Sequence, residues 1–309
     1  MIIVLGSINI DMVFPVQHLP EPGETVAAAS YEMHCGGKGA NQAIAAARCE
    51  TKTAMVGRVG DDIFGRRAQK NLKQHSVWAA GVGISDESQT GLAMIAVDPT
   101  GENEIIVAHG ANADITADQV PDDILSPRNL VLADFEIPVA VLEDVLARAK
   151  KRNCLTILNA APVVKFPKEM LQSVDVFIVN EIEAQQVSHQ LDLGEQDPIK
   201  MACVLSKTYD LTVIITMGRQ GAFAVQKGHA WKVAALDIEK CVDTTGAGDC
   251  FCGVFAAYTS RGEELPIALH RAAIAGSLSC QKLGAQESMP WYDDIEAQKD
   301  TVALPKKLS

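Results

Sequence analysis

Carboxylates, a lysine and runs of small residues stand together at two places in this chain, each spaced to handle an anion and a hydroxyl. Asp243-Thr244-Thr245-Gly246-Ala247-Gly248-Asp249 leads into the apolar stretch Cys250–Phe255. A Gly-Ala-Gly turn opening a helix offers free N–H groups and the positive end of the helix dipole, which together cradle an anion. Asp249, in the first turn, is sited to accept a proton from an attacking hydroxyl, and equally to cap its own helix. The other place is Gly36-Gly37-Lys38-Gly39-Ala40-Asn41, ahead of the Ala-rich helical segment Asn41–Arg48. Glycines there let the backbone approach a ligand, and Lys38 and Asn41 can bond hydroxyls or phosphate. A plain turn into a helix reads as well. The spacing GxxxxGK[ST] of a P-loop is absent.

Three further clusters follow apolar runs: Asn9-Ile10-Asp11, Asn180-Glu181-Ile182-Glu183 and Thr216-Met217-Gly218-Arg219-Gln220-Gly221. Each alone reads as a turn or cap as readily as a site. Polar or Gly-rich clusters follow at least five apolar strands, however, and so converge on one edge of one sheet, where open α/β sheets bind ligands.

The elements that position these residues are legible as alternating patterns. Ile2–Leu5, Thr53–Val56, Leu130–Ala133, Leu155–Leu158, Val176–Val179 and Val213–Thr216 are short, nearly continuous apolar runs. Helical patterns fall at Asn41–Arg48, Phe64–His75, Val139–Arg152 and around 166–173, 181–190 and 197–208. Fully apolar strands alternating with helices predict an α/β fold with a mostly parallel sheet covered on both faces. Two stretches break the rhythm. Residues 11–36 carry Pro15, Pro20, Pro22 and Gly23, and residues 88–112 read as Gly91–Val97, a Pro-Thr-Gly turn, then Asn103–Ala108. These are expected to form a small separate sheet, a β lid, against a body made of 1–10, 37–87 and 113–309; two unrelated surface excursions are the alternative. The tail from Gln286 to Ser309 is expected to be a final helix and a frayed end.

Composition narrows the function classes. The chain has 309 residues, 48% apolar and 21% charged, a globular balance. A net charge of −12 argues against a nucleic-acid backbone as partner. The eight cysteines are scattered without a CxxC or His/Cys ligand cluster, which predicts reduced thiols. No apolar stretch reaches membrane-spanning length and no basic leader precedes Ile2–Leu5, so a soluble, cytoplasmic protein is expected.

With these residues in place, the chain resembles the ribokinase family of carbohydrate kinases, also called the PfkB family. The match runs from Gly6-Ser7-Ile8-Asn9-Ile10-Asp11 to Gly284-Ala285-Gln286. It includes Gly36–Asn41 with Gly57–Gly65 and Asp243–Asp249 with Phe251 and Gly253. The resemblance implies a three-layer α/β/α sheet with a β lid and transfer of the ATP γ-phosphate to a sugar hydroxyl. Gly-Gly-Lys-Gly-Ala-Asn together with Glu136 before Pro138 is most similar to members acting on the 5-hydroxyl of D-ribose. A nucleoside kinase or another sugar kinase of the family is the alternative. By the same resemblance Asp249 is the base and Gly246, Ala247 and Gly248 form the anion hole. Asn9, Asp11, Gly37, Lys38, Gly39, Asn41 and Glu136 hold the sugar. Asn180 and Glu183 act near the nucleotide phosphates and Mg²⁺, and Thr216, Gly218, Arg219, Gly221, Gly248 and Ala273 line the nucleotide site. Asp243, Thr245, Ser279, Lys282, Gly284 and Ser288 match loops that hold a monovalent cation, usually K⁺. Ala273 stands where many relatives carry His or Asn, and Lys282 where Arg is common. The apolar lid strands and the family likeness imply a homodimer formed through the lid.

Overall fold

The computed structural model describes residues 1–194 and 197–308. Its strands are β1 (Ile2–Leu5), β2 (Asn9–Pro15), β3 (Glu32–Gly36), β4 (Thr53–Gly60), β5 (Trp78–Ser85), β6 (Gly91–Val97) and β7 (Asn103–Ala108). The remainder are β8 (Leu130–Asp134), β9 (Leu155–Asn159), β10 (Val176–Asn180), β11 (Thr212–Thr216), β12 (Ala222–Gln226), β13 (His229–Val233) and β14 (Lys306–Lys307). Ten of them form one sheet in the order β14-β13-β12-β11-β10-β9-β8-β1-β4-β5, parallel from β11 to β5 and antiparallel at the β12–β14 end.

The helices are α1 (Lys38–Arg48), α2 (Ile63–Gln74), α3 (Val139–Lys151), α4 (Glu181–Gln190), α5 (Pro198–Tyr209), α6 (Ala247–Ser260), α7 (Leu265–Ser279), α8 (Ala285–Ser288) and α9 (Tyr292–Ala297). Side chains alternate across a strand, and β1 shows the outcome. Ile2 and Val4 enter one core with α1, α2, α6 and α7, while Ile3 and Leu5 enter another with α3, α4 and α5. All four are fully buried, which is why the run is apolar without alternation. The sheet is the middle of three layers.

The second sheet has the order β3-β2-β6-β7. Asn9–Pro15 runs parallel to Gly91–Val97, and the turn between β6 and β7 is held by Asp98, whose carboxylate accepts from the Thr100 and Glu102 amides. Only Gly6, Ser7 and Ile8 separate the central strand β1 from β2.

Three details differ from the sequence reading. Helix α1 begins at Lys38 rather than Asn41, so the glycine run is partly the first helical turn. β5 and the β12–β13 hairpin were not foreseen. The tail carries the short helix α9, but its last described residues are not frayed: Lys306 and Lys307 pair with Lys232 and Trp231 and add an edge strand. Ser309, the end of that expected frayed segment, lies outside the described residues.

Candidate active site

The N-terminus of α6 is shaped by its glycines. Gly246 has φ 74°, and a Cβ there would lie 2.9 Å from that of Ala285, so only glycine makes this turn. A Cβ on Gly248 would meet nothing within 4 Å, because this residue borders open cavity. Asp249 follows on the buried side. Its carboxylate does not cap α6; it accepts from Asn41 Nδ2 at 2.9 Å and Gln42 Nε2 at 3.1 Å, both on α1. The amide of Asn41 accepts in turn from Gln286 Nε2 at 2.9 Å, and Gln286 Oε1 accepts from Asn71 Nδ2 on α2 at 2.6 Å. The Asn41 side chain thus links Asp249 to Gln286.

Lys38, in the first turn of α1, is the cation of the site. The Asp249 charge, with Glu136, Asp134 and Glu183, holds its ammonium above the ordinary lysine range against the opposing effect of burial. Glu136 accepts from Ser7 Oγ at 2.5 Å and from the Lys38 amide at 3.5 Å. Asn9 and Asp11 point from β2. Asn9 Oδ1 accepts from Asn112 Nδ2 at 2.7 Å, and Asn112 also bonds both backbone groups of Ile8. Burial, reinforced by Glu136, raises the Asp11 carboxyl to about 6. Gly37, at φ 89°, sits so close to Asn9 N that a Cβ would approach it to 2.7 Å.

Two cavities meet at Thr216, Thr244 and Gly248. One, of about 230 Å³, is lined by Lys38, Asn159, Asn180, Glu183, Gly246 and Asp249. The other, of about 440 Å³, is lined by Gly218, Arg219, Gly221, Ala247, Ala273 and the 235–241 segment among others. Asn180 and Glu183 form a reciprocal cap on α4, with the Asn180 amide donating to Glu183 Oε2 at 2.7 Å and the Glu183 amide to Asn180 Oδ1 at 2.8 Å. They are therefore a cap and cavity lining at once, and burial raises the Glu183 carboxyl.

Beside the Gly246–Gly248 turn, Asp243 ties two loops together. It accepts from the Thr245 amide at 2.9 Å, Thr245 Oγ1 at 2.6 Å and the Gly284 amide at 2.9 Å, and these bonds hold its carboxyl below the ordinary range. Ser279 and Ser288 are buried, with hydroxyls donating to the Gly276 and Ala285 carbonyls. Lys282 is exposed.

Sequence reasoning missed several residues that complete the site. Gln42, Asn71, Asn112 and Gln286 are amides on helices or turns, where polar residues ordinarily face water. Asp134 ends the apolar strand β8, fully buried; its Oδ1 accepts from the Glu136 amide at 2.8 Å, and its Oδ2 has no partner among the described residues. Burial and the neighbouring Glu136 push its carboxyl well above the ordinary range.

Known proteins resemble this chain over nearly its whole length. Residues 1–292 match the pfkB family carbohydrate kinases. A Schizosaccharomyces pombe protein named ribokinase is 36% identical over 307 residues, covering 96% of each chain. The crystal structure of ribokinase from Thermotoga maritima superposes with a TM-score of 0.89 at 32% identity, over 96% of this chain and 98% of that one. Arabidopsis thaliana ribokinase complexed with ribose and ATP superposes with a TM-score of 0.87 at 29% identity, over 96% and 98%. With the family model matched over residues 1–292, this chain belongs to the pfkB family of carbohydrate kinases.

Proposed function

We propose that this chain is an ATP-dependent ribokinase that transfers the γ-phosphoryl group of ATP to the 5-hydroxyl of D-ribose, giving D-ribose 5-phosphate and ADP. The observation that carries the reading is the buried Asp249 carboxylate, anchored by two amides on α1 and set against the open side of Gly248, where the two cavities meet.

In this reading ribose lies among Asn9, Asp11, Gly37, Lys38, Gly39, Asn41 and Glu136. ATP occupies the larger cavity, with its phosphates reaching Gly246–Gly248. Asp249 takes the proton of the 5-hydroxyl as its oxygen bonds the γ-phosphorus and the bond to the ADP oxygen breaks. The α6 N–H groups and Lys38 stabilise the charge on the transferring group. Four acidic side chains, Asp249, Glu136, Asp134 and Glu183, act on Lys38, so the anionic phosphates of ATP need further positive charge there. Mg²⁺ bound to ATP supplies that neutralisation. Glu183 and Asn180 line the cavity where it would sit, and no group of three or more His, Cys, Asp or Glu side chains among the described residues could hold a metal alone, which fits an ion ligated largely by phosphate. K⁺ fits the loops around Asp243, Thr245, Ser279, Lys282, Gly284 and Ser288, because the Asp243 carboxylate already gathers both beside the anion hole.

Residues 11–36 and 88–112 then act as the lid of a body formed by 1–10, 37–87 and 113–309, excluding water when ribose is bound. Met94, Ile105, Ile106 and Val107 leave apolar surface on it, from 43% to 63% exposed, and a second copy of the sheet is its cover in a homodimer. All eight cysteines are free, as suits a reducing cytoplasm.

ATP consumption measured with ribose, deoxyribose, fructose, adenosine and pseudouridine tests the assignment. Ribose should give the highest kcat/KM; faster turnover of adenosine or pseudouridine would move the chain to the nucleoside kinases.

A further inference from the structure

The side chains of Asn71, Gln286, Asn41 and Asp249 form a continuous chain of hydrogen bonds from helix α2 to the catalytic carboxylate, at 2.6, 2.9 and 2.9 Å. Gln286, Asn41 and Asp249 are 2%, 5% and 6% exposed, so water is not available to substitute for a lost partner. We propose that Asn71 and Gln286 are positioning residues for phosphoryl transfer, fixing through the orientation of Asn41 the direction in which Asp249 presents its free lone pairs.

The direction of every amide in the chain follows from its end. An ionised carboxylate can only accept, so Asn41 must turn its NH₂ towards Asp249 and its oxygen towards Gln286. Gln286 must then donate to Asn41 and accept from Asn71. The second N–H of Gln286 faces the Gly36 carbonyl at 3.5 Å, which opposes the reversed orientation as well. Reversing any one amide sets oxygen against oxygen or NH₂ against NH₂ at the next link, so the chain reverses as a whole or not at all. Reversal would aim the Asn41 oxygen at the base. Helix α2 also holds the small sheet, since Arg67 donates to the Met33 carbonyl of β3 at 2.7 Å. One helix therefore touches both the sheet that carries Asp11 and the chain that orients Asp249.

This inference rests on Asp249 being the base. The test separates polarity from packing at a position remote from the reaction. Asn71→Ala deletes the last donor and leaves the other links free to stay; kcat should fall no more than about threefold. Asn71→Asp is nearly isosteric but presents only acceptors to Gln286 Oε1, which frustrates every link. Its kcat should fall on the order of 10- to 100-fold, the scale of a small displacement of a reacting group. KM for ATP should stay near wild type in both. Gln286→Glu applies the same conflict one link nearer, facing the Asn41 oxygen with a carboxylate, and serves if Asn71→Asp does not fold. Melting temperatures identify a folding defect. Equal kcat in Asn71→Asp and Asn71→Ala, or a loss in Asn71→Asp that appears in KM for ATP rather than in kcat, overturns the relay. Failure of the ribokinase assignment is seen separately, as absence of ribose turnover in the unaltered protein.

Discussion

Replacing Asp249 by Asn removes the proposed base while keeping the architecture around it. The carboxylate accepts from two amides, Asn41 Nδ2 and Gln42 Nε2. An asparagine can keep its oxygen towards Asn41, whose direction is already set by Gln286. Its new NH₂ group then faces Gln42. Gln42 Oε1 is buried and without a partner among the described residues, so a flip of that one amide turns a donor conflict into a hydrogen bond. Asp249→Asn should therefore fold with a melting temperature close to wild type. Its kcat should fall by roughly 10²–10⁴, about 2.7–5.4 kcal/mol of barrier, the usual weight of a general base. Asp249→Ala offers a contrast, because it strands both amide donors in the interior at about 1–3 kcal/mol each and should lose stability along with activity. ADP release followed by a coupled assay, with ribose binding measured by calorimetry, distinguishes the two. An Asp249→Asn enzyme turning over within tenfold of wild type, with intact ribose binding, would refute the assignment of the base.

Four further outcomes are expected. Asp11, raised to about 6 from 3.8, is ionised at pH 8 and protonated at pH 5, so ribose affinity should weaken as pH falls through 6, and Asp11→Asn should flatten the profile. Between pH 3.8 and 6 the folded chain holds that proton more tightly than the unfolded one, so ionising Asp11 lowers stability as pH rises; Asp11→Asn should raise the melting temperature at pH 8 and leave it unchanged below pH 4, and the opposite order would contradict the burial argument. Activity should rise when K⁺ replaces Na⁺ or Tris and the difference should vanish in Asp243→Ala; equal rates in all three salts after thorough K⁺ removal would reject the cation site. Light scattering at low micromolar concentration should give twice the 33.0 kDa chain mass, and Met94→Glu should halve it while weakening ribose binding; a wild-type mass of one chain rejects the dimer.

How much could be read beforehand depended on whether a residue's partners were close in sequence. Ile2–Leu5, Leu130–Ala133 and Val176–Val179 announced buried strands because both their faces are covered, and the β6–β7 hairpin announced itself by its alternation and turn. β5 did not, since Trp78–Ser85 is interrupted by Gly81 and Gly83 and leaves Trp78 and Ile84 exposed. The glycine-rich turns and Asp249 stood out because anion binding needs contiguous backbone. The relay did not, because Asn71, Asn41 and Gln286 are brought together by helix packing, and a lone amide in a helix carries no mark of a buried partner. Asp134 was hidden for a related reason: it closes an apolar run, and only its neighbours Glu136 and Lys38 make it part of the site.

The last described strand bears on how much of the large sheet's edge is left open. β13 would be a free edge but for Lys306–Lys307, which pairs with it and ends in the Leu308 amide donating to the Ala230 carbonyl at 2.8 Å. The opposite edge, β5, has no such guard among the described residues and exposes Trp78 and Ile84. Removing residues 305–308 would leave a nine-stranded sheet with unpaired backbone at both ends, and one edge could dock onto the other in a neighbouring molecule. Such a contact is head-to-tail and does not close on itself, so it propagates into filaments rather than stopping at a pair. Lys306 and Lys307 thus occupy backbone of β13 that a neighbouring strand would otherwise be free to pair with.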